Sequence, residues 1–233
     1  MTVAPEWAPD RLRLNRGLVL ALPALALLLG VLVQANAAGG HHHANPADGL
    51  VPAAVAIVLV MMAPLAVPLL RAVEQASLWW LVPRTLPAAL GGYLAVWTVA
   101  GVGLHAPAHL LVHGGWLPPG PSRLVPALAL GAGCAVRLWL RSHWRAVAAC
   151  GRSRPVRRRW AVVDAARWGA DHAVRCVRVC ALPMLLGALG HGWLTLVALT
   201  ALLAAERLLV APSRPVLALG YLALGASVGI GLT

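Results

Sequence analysis

Long apolar runs separated by short polar segments dominate the chain. A run of about 20 apolar residues crosses the hydrocarbon core of a bilayer as an α-helix. Seven such runs lie at about 17–38, 50–70, 86–105, 123–140, 174–190, 193–210 and 215–232. The fifth is the least apolar, because Arg175 and Arg178 fall within it. The pattern predicts an all-α polytopic bundle of six or seven spans, forming one integral membrane domain over residues 1–233.

Composition and charge agree with a membrane protein and indicate its orientation. The chain is 60% hydrophobic and 11% charged, whereas soluble domains carry about 25% charged residues. With the N-terminus in the cytosol, every arginine except Arg123 falls on the cytosolic side, as the positive-inside rule requires. The orientation of the chain in a bacterial plasma membrane therefore accounts for its net charge of +12. The first apolar run is too long for a signal peptide, so we expect a retained helix.

The segment from 141 to 173 is predicted to be a cytosolic arginine-rich loop. Its Gly and Pro favour a turn, and the sequence after Trp160 has the periodicity of an amphipathic helix on the inner leaflet. Arginines near an anionic surface each contribute about 1 kcal/mol of binding. The candidate contacts to lipid or to a partner membrane protein are Arg154, Arg157, Arg158 and Arg159.

A run of metal-ligand side chains leads into the fifth apolar run. His172, Cys176, Cys180 and Met184 follow one another at four-residue intervals, which places them on one drifting stripe of a helix. Cys and Met are soft ligands and imidazole is intermediate, so the set suits copper first and zinc second. Because one step of four residues rises about 6 Å, only adjacent members can share an ion unaided. The alternative is that Cys and Met are ordinary packing residues.

Further candidate ligands lie on both sides of the predicted bundle. Met61 and Met62 precede Pro64 in the second apolar run, where thioethers either bind copper(I) or fill gaps. The predicted outer face carries histidines that either bind a metal or are interfacial polar residues. These are His41, His42, His43, His105, His109 and His113.

Some enzyme classes can be identified by a short local motif, and the sequence contains none of the common ones. It has no P-loop, no GxSxG, no HExxH and no dinucleotide-binding fingerprint. The basic loop lacks the aromatic interleaving of a nucleic-acid module, so no nucleic acid is expected as a partner. We therefore expect a protein that is not an enzyme.

Three blocks of sequence resemble an uncharacterised bacterial family of predicted metal-binding integral membrane proteins, a domain of unknown function. The blocks are MMAPLAVPLLR, GGYLAVWTVAG and GADHAVRCVRVCALPM, the last followed by LTALLAAERLL. They are similar to the family's Met-Met-x-Pro, Gly-Tyr-x-x-x-Trp and Gly-x-x-His, Cys and Met blocks, and they cover roughly residues 50 to 210. The resemblance implies family identities for Gly169, His172, Cys176, Cys180, Met184 and Glu206.

Some positions depart from the family's pattern. Val179 stands where the family often has the first Cys of a pair, Ala181 where it has Trp, and Arg178 where it has Gly. Cys150 alone remains of a second cysteine pair. The resemblance thus implies a metal site with fewer thiolates in this chain, in which Met61 or Met62 completes the set.

Three functions are compatible with these observations. The first is non-enzymatic handling of a soft transition metal, with copper foremost. The second is a structural or assembly subunit that binds a membrane partner or anionic lipid through the arginine-rich loop. The third is a small transporter, for which the apolar runs supply few polar residues to line a path.

Overall fold

The computed structural model describes residues 50–113, 124–140, 160–189, 193–208 and 214–230, together with positions 17, 19–25, 28, 29 and 32. Within these residues the chain is helical and contains no strand, which confirms the predicted all-α class. We number the helices α1 to α7. They are α1 Leu50–Met62, α2 Val67–Ala76, α3 Val82–His113, α4 Leu124–Arg137, α5 Ala161–Leu189, α6 Trp193–Leu208 and α7 Arg214–Ile230.

The second apolar run is bent rather than straight. A short 3-10 turn, Pro64–Ala66, separates α1 from α2, and the two parts meet at 43°. Pro64 and Pro68 occupy the first turns of the segments that follow α1. Proline lacks the N–H of the helical ladder and clashes with the preceding turn, so the α-helix ends before Pro64.

By contrast, α3 and α5 are long and continuous. Helix α3 has 32 residues and includes Pro87 and Pro107. Helix α5 has 29 residues and includes Pro183. Helix α5 therefore contains both the predicted interfacial segment and the predicted fifth span, with no break between them. A continuous helix satisfies its own backbone polar groups, which apolar surroundings require.

Small residues let α3 and α5 cross closely. A side-chain Cβ at Gly92 would collide with the carbonyl of Ala166, and one at Gly169 would collide with that of Ala89. Glycine on both helices removes this clash and brings the two backbones together. The crossing fixes where α5 presents its side chains to the bundle interior.

Helices α4 and α7 pair in a similar way on the other side of α5. A Cβ at Gly131 would lie 2.8 Å from the Tyr221 carbonyl oxygen, and one at Gly225 would lie 2.8 Å from that of Ala127. Contacts from α4 and α7 to α5, and from α6 to α1 and α7, complete the bundle. The buried core runs through all seven helices.

Among the described residues, two helices are long and apolar enough to cross a membrane. These are α3 and α5, and the bent pair of α1 and α2 makes a third if it counts as one span. Helices α4, α6 and α7 are apolar but have 14, 16 and 17 residues, fewer than the approximately 20 that span a hydrocarbon core. Six or seven spans are thus not confirmed. Large apolar side chains such as Val99, Val125 and Leu219 are mostly exposed, which is compatible with membrane association.

Candidate functional site

The predicted ligand stripe lies on α5 and points into the protein. His172, Cys176, Cys180 and Met184 all belong to this one helix. Their exposed fractions are 6%, 0%, 0% and 1%, respectively. Four residues of an α-helix turn through about 400°, so each member is rotated about 40° from the one before it. The stripe consequently faces different neighbouring helices along its length.

The first end of the stripe faces α3. The rings of His172 and Tyr93 have centroids 5.7 Å apart. Tyr93 is fully buried, and its hydroxyl lies 4.0 Å from the sulfur of Met62. Tyr93 therefore links the methionine pair at the end of α1 to the histidine of α5.

Met61 approaches α5 further along the stripe. Its sulfur lies 3.9 Å from the position that a Cβ would take at Gly187, three residues beyond Met184. Met61 and Met62 are both fully buried. The two α1 methionines thus relate to the α5 stripe differently. Met62 contacts Tyr93, which in turn contacts His172, whereas Met61 lies beside Gly187 of α5.

The middle of α5 faces a buried ion pair between α4 and α6. One terminal nitrogen of Arg137 lies 2.7 Å from a carboxylate oxygen of Glu206, and the two side chains are 8% and 1% exposed. The same nitrogen donates to the Tyr221 hydroxyl at 3.0 Å, and the guanidinium lies 5.2 Å from the centroid of the Tyr221 ring. The other terminal nitrogen donates to the carbonyl of Val179. One guanidinium therefore joins α4, α5, α6 and α7.

A third buried cysteine adjoins this ion pair. Cys134 is fully buried on α4, and its carbonyl accepts a hydrogen bond from Nε of Arg137 at 3.3 Å. Among the cysteines that the structure describes, Cys134, Cys176 and Cys180, none forms a disulfide.

The predicted ligands of α5 are spread along the helix. Over the described ranges, no group of three or more His, Cys, Asp or Glu side chains is placed to hold one ion. This agrees with the rise of about 6 Å per step of the stripe. Structural zinc sites almost always use four ligands. Copper(I) forms stable two-coordinate thiolate complexes, and the donors present are soft.

The outer histidines can be followed in part. The segment from His105 to His113 is helical, since α3 continues through Pro107 to His113. The His105 side chain is 4% exposed. The side chains of His109 and His113 lie outside the described residues, as does the whole tract from His41 to His43.

The basic loop also lies outside the part of the chain that the structure describes. This concerns Arg154, Arg157, Arg158 and Arg159. Their predicted contact with lipid or a partner stays a prediction.

Sequence reasoning missed three members of this region. These are Arg137, Cys134 and Tyr93. The available signal was Glu206, a carboxylate near the end of an apolar helix, because such a group requires a cationic partner. The structure supplies that partner from α4.

Comparison with known proteins identifies the family. The profile of the PpoB2 family, described as a copper chaperone, matches residues 54–230. This range covers most of the chain and nearly all of the helical bundle, and the chain belongs to that family. Searches of curated proteins and of solved structures found no match.

Proposed function

We propose that this member of the copper chaperone family binds copper(I) through the buried sulfur ligands of α5 and passes it on without chemical change. Copper is cargo here rather than a resident cofactor. The observation that carries the proposal is the placement of Cys176 and Cys180 one helical turn apart, both fully buried on one continuous helix. Residues four apart on a helix have Cβ atoms about 5–6 Å apart, close enough for two sulfurs to reach one ion.

The ligands around this pair extend the same chemistry. Met184 lies one turn beyond Cys180 and His172 one turn before Cys176, and both are buried. Met61 and Met62 supply thioethers from α1. Thiolates suit copper(I) and zinc alike, and the added thioethers shift the preference toward copper(I). The family's description is compatible with a protein that is not an enzyme.

We further propose that the bundle lies in the plasma membrane with its N-terminus in the cytosol. The Arg137–Glu206 pair supports this orientation, because it brings together the last turn of α4 and the end of α6. In the positive-inside topology both of these ends are cytosolic, next to the arginine-rich loop.

A decisive test is copper analysis of the purified protein in detergent without oxygen. Wild type, the double variant Cys176→Ser with Cys180→Ser, and Cys150→Ser are each titrated with copper(I) against a chromogenic chelator. We expect stoichiometric copper in wild type and in Cys150→Ser, and a loss of binding in the double variant. Equal, substoichiometric copper in all three proteins would reject the proposal.

The concentration of charge in the basic loop supports a second candidate, an assembly function. Eight arginines lie in the loop from 141 to 173, and such a cluster attracts anionic lipid or an acidic partner membrane protein. Neutralising Arg154, Arg157, Arg158 and Arg159 to Gln separates the two functions. A copper-handling protein keeps its copper after this change, whereas an assembly subunit loses its co-purifying partner.

A further inference from the structure

Pro183 interrupts the backbone hydrogen-bond ladder of α5. In an α-helix the N–H of residue 183 would donate to the carbonyl of residue 179, but proline has no N–H. The carbonyl of Val179 therefore loses its helical donor, although α5 continues through this position to Leu189. Val179 is 7% exposed, and a buried carbonyl without a donor is costly. The fold thus requires a donor for this carbonyl from outside α5.

Arg137 of α4 supplies that donor. One terminal nitrogen of its guanidinium donates to the Val179 carbonyl. The other terminal nitrogen donates to a carboxylate oxygen of Glu206 at 2.7 Å and to the Tyr221 hydroxyl at 3.0 Å. Nε donates to the carbonyl of Cys134 at 3.3 Å. The group that replaces the missing proline N–H is therefore held in direction by α4, α6 and α7.

The interrupted turn lies among the candidate copper ligands. Cys176 precedes this turn and Cys180 lies within it, while Met184 directly follows Pro183. All three ligands are buried. Helices bend at proline because the turn before it lacks its hydrogen bond. A change of bend here would turn Cys180 and Met184 relative to Cys176, so the alignment of the sulfur ligands depends on what holds the turn.

We propose that Arg137 is a positioning residue of the copper(I) site. By donating to the carbonyl that Pro183 leaves without its helical donor, it holds the turn that carries Cys180 and sets the alignment of Cys180 with Cys176. The inference rests on the proposed function, in which these two cysteines bind copper(I). The positive charge of Arg137 is paired with Glu206, so its hydrogen bond, and not a free charge, acts on α5.

A guanidinium is chemically suited to this role. It carries five N–H donors in a rigid planar fork, so one side chain can serve several acceptors in fixed directions. Arg137 uses the fork to reach Val179 on one side and Glu206 on the other. The ion pair therefore anchors the donor, and the anchored donor fixes α5.

The test is a cycle of four full-length proteins in detergent, each titrated with copper(I) against a chelator without oxygen. They are wild type, Arg137→Met with Glu206→Leu, Pro183→Ala, and the triple variant. The paired substitution removes the donor together with its counter-charge, so no buried charge is orphaned. Pro183→Ala restores the N–H of residue 183, which can satisfy the Val179 carbonyl from within α5.

The paired substitution should weaken copper(I) binding by about 10- to 100-fold, the range for groups that orient metal ligands. In the Pro183→Ala background the same substitution should change the affinity by no more than about twofold, the scatter expected of independent sites. Pro183→Ala alone should retain copper(I) binding, because a carbonyl can accept two hydrogen bonds. A role of the ion pair in overall stability alone would not produce this rescue, since the pair is absent in both backgrounds.

Gly133→Ala is the matched control at the same contact between α4 and α5. Its added methyl would lie 3.6 Å from Cδ1 of Leu182, an ordinary contact, and leaves the Arg137 hydrogen bonds in place. This variant should bind copper(I) as wild type does. Should the paired substitution prevent folding, Arg137→Gln with Glu206→Gln replaces it, because two amides keep a polar contact while Gln is shorter than Arg.

The outcomes separate the inference from the function on which it rests. If wild type binds no copper(I), the proposed function fails. If wild type binds and the paired variant binds equally well, the function stands and the positioning role of Arg137 is wrong. An equal loss in both backgrounds also overturns the inference, because the effect then does not pass through the Val179 carbonyl. Loss of binding in Pro183→Ala alone overturns it as well, since the site would then need the proline itself.

Discussion

The buried ion pair between Arg137 and Glu206 allows a prediction about stability. The charged atoms are 2.7 Å apart and nearly inaccessible. At an effective dielectric of about 20, their attraction is about 6 kcal/mol, and the cost of removing both groups from water offsets most of it. The net contribution of the intact pair is therefore small, whereas one partner without the other leaves an uncompensated buried charge.

Glu206→Leu should consequently destabilise the protein by about 3–5 kcal/mol, the usual cost of breaking a buried pair from one side. Arg137 keeps the Tyr221 hydroxyl and two backbone carbonyls as acceptors. Because these acceptors remain, we expect the loss of stability to lie at the lower end of that range. Adding Arg137→Met to Glu206→Leu removes the orphaned charge, so the double variant should recover about 2 kcal/mol or more of the loss.

The assay is unfolding in mixed micelles of mild detergent and increasing dodecyl sulfate, followed by circular dichroism. Glu74→Gln is the matched control, because it removes a partly exposed acid at the end of α2 and should change stability by no more than about 0.5 kcal/mol. Additive effects of the Glu206 and Arg137 substitutions would refute the reasoning. So would a Glu206→Leu variant within about 1 kcal/mol of wild type.

Three other properties can be measured directly. Gly92→Ala should destabilise by about 1–3 kcal/mol, because its methyl would meet the Ala166 carbonyl across the α3–α5 crossing; Gly91→Ala, with open space around it, should be neutral or stabilising by up to about 1 kcal/mol in the same unfolding assay. A membrane-impermeant maleimide should label Cys150 in inverted vesicles and not in intact spheroplasts, and the reverse pattern would contradict a cytosolic loop. Copper(I) at about 100 times its Kd should stabilise the protein by about 2.7 kcal/mol, and a chelator should reverse the gain; unchanged stability would argue against binding to the folded state.

The part of the architecture that could be predicted from sequence depends on local periodicity. Apolar run length predicts the α class, and spacing of four residues predicts that Cys176 and Cys180 share a buried helix face. The break near Pro64 is also a local effect, since proline acts on its own turn, but Pro87, Pro107 and Pro183 lie within continuous helices. The number of membrane spans was harder to predict, because helix ends depend on capping and on tertiary contacts. The length of an apolar run does not encode these.

The site's inter-helix members could not be predicted for a different reason. Arg137 and Glu206 are 69 residues apart in sequence, and no local pattern links them. A lone cysteine in an apolar run, such as Cys134, carries no signal until a neighbouring helix is placed beside it. Tyr93 contacts His172 because Gly92 and Gly169 let α3 approach α5. Pairing between helices decides these contacts.

The geometry of the α5 stripe finally bears on how copper could leave. Each step of four residues rotates the ligand by about 40°, and the His172 end of the stripe faces Tyr93 on α3. Toward the other end, the sulfur of Met61 on α1 lies 3.9 Å from the position of a Cβ at Gly187, three residues beyond Met184. A straight row of ligands on one face would surround an ion with donors from a single helix. Under the proposed function, a copper(I) ion bound by Cys176 and Cys180 would instead find a thioether donor from a second helix within one turn of Met184.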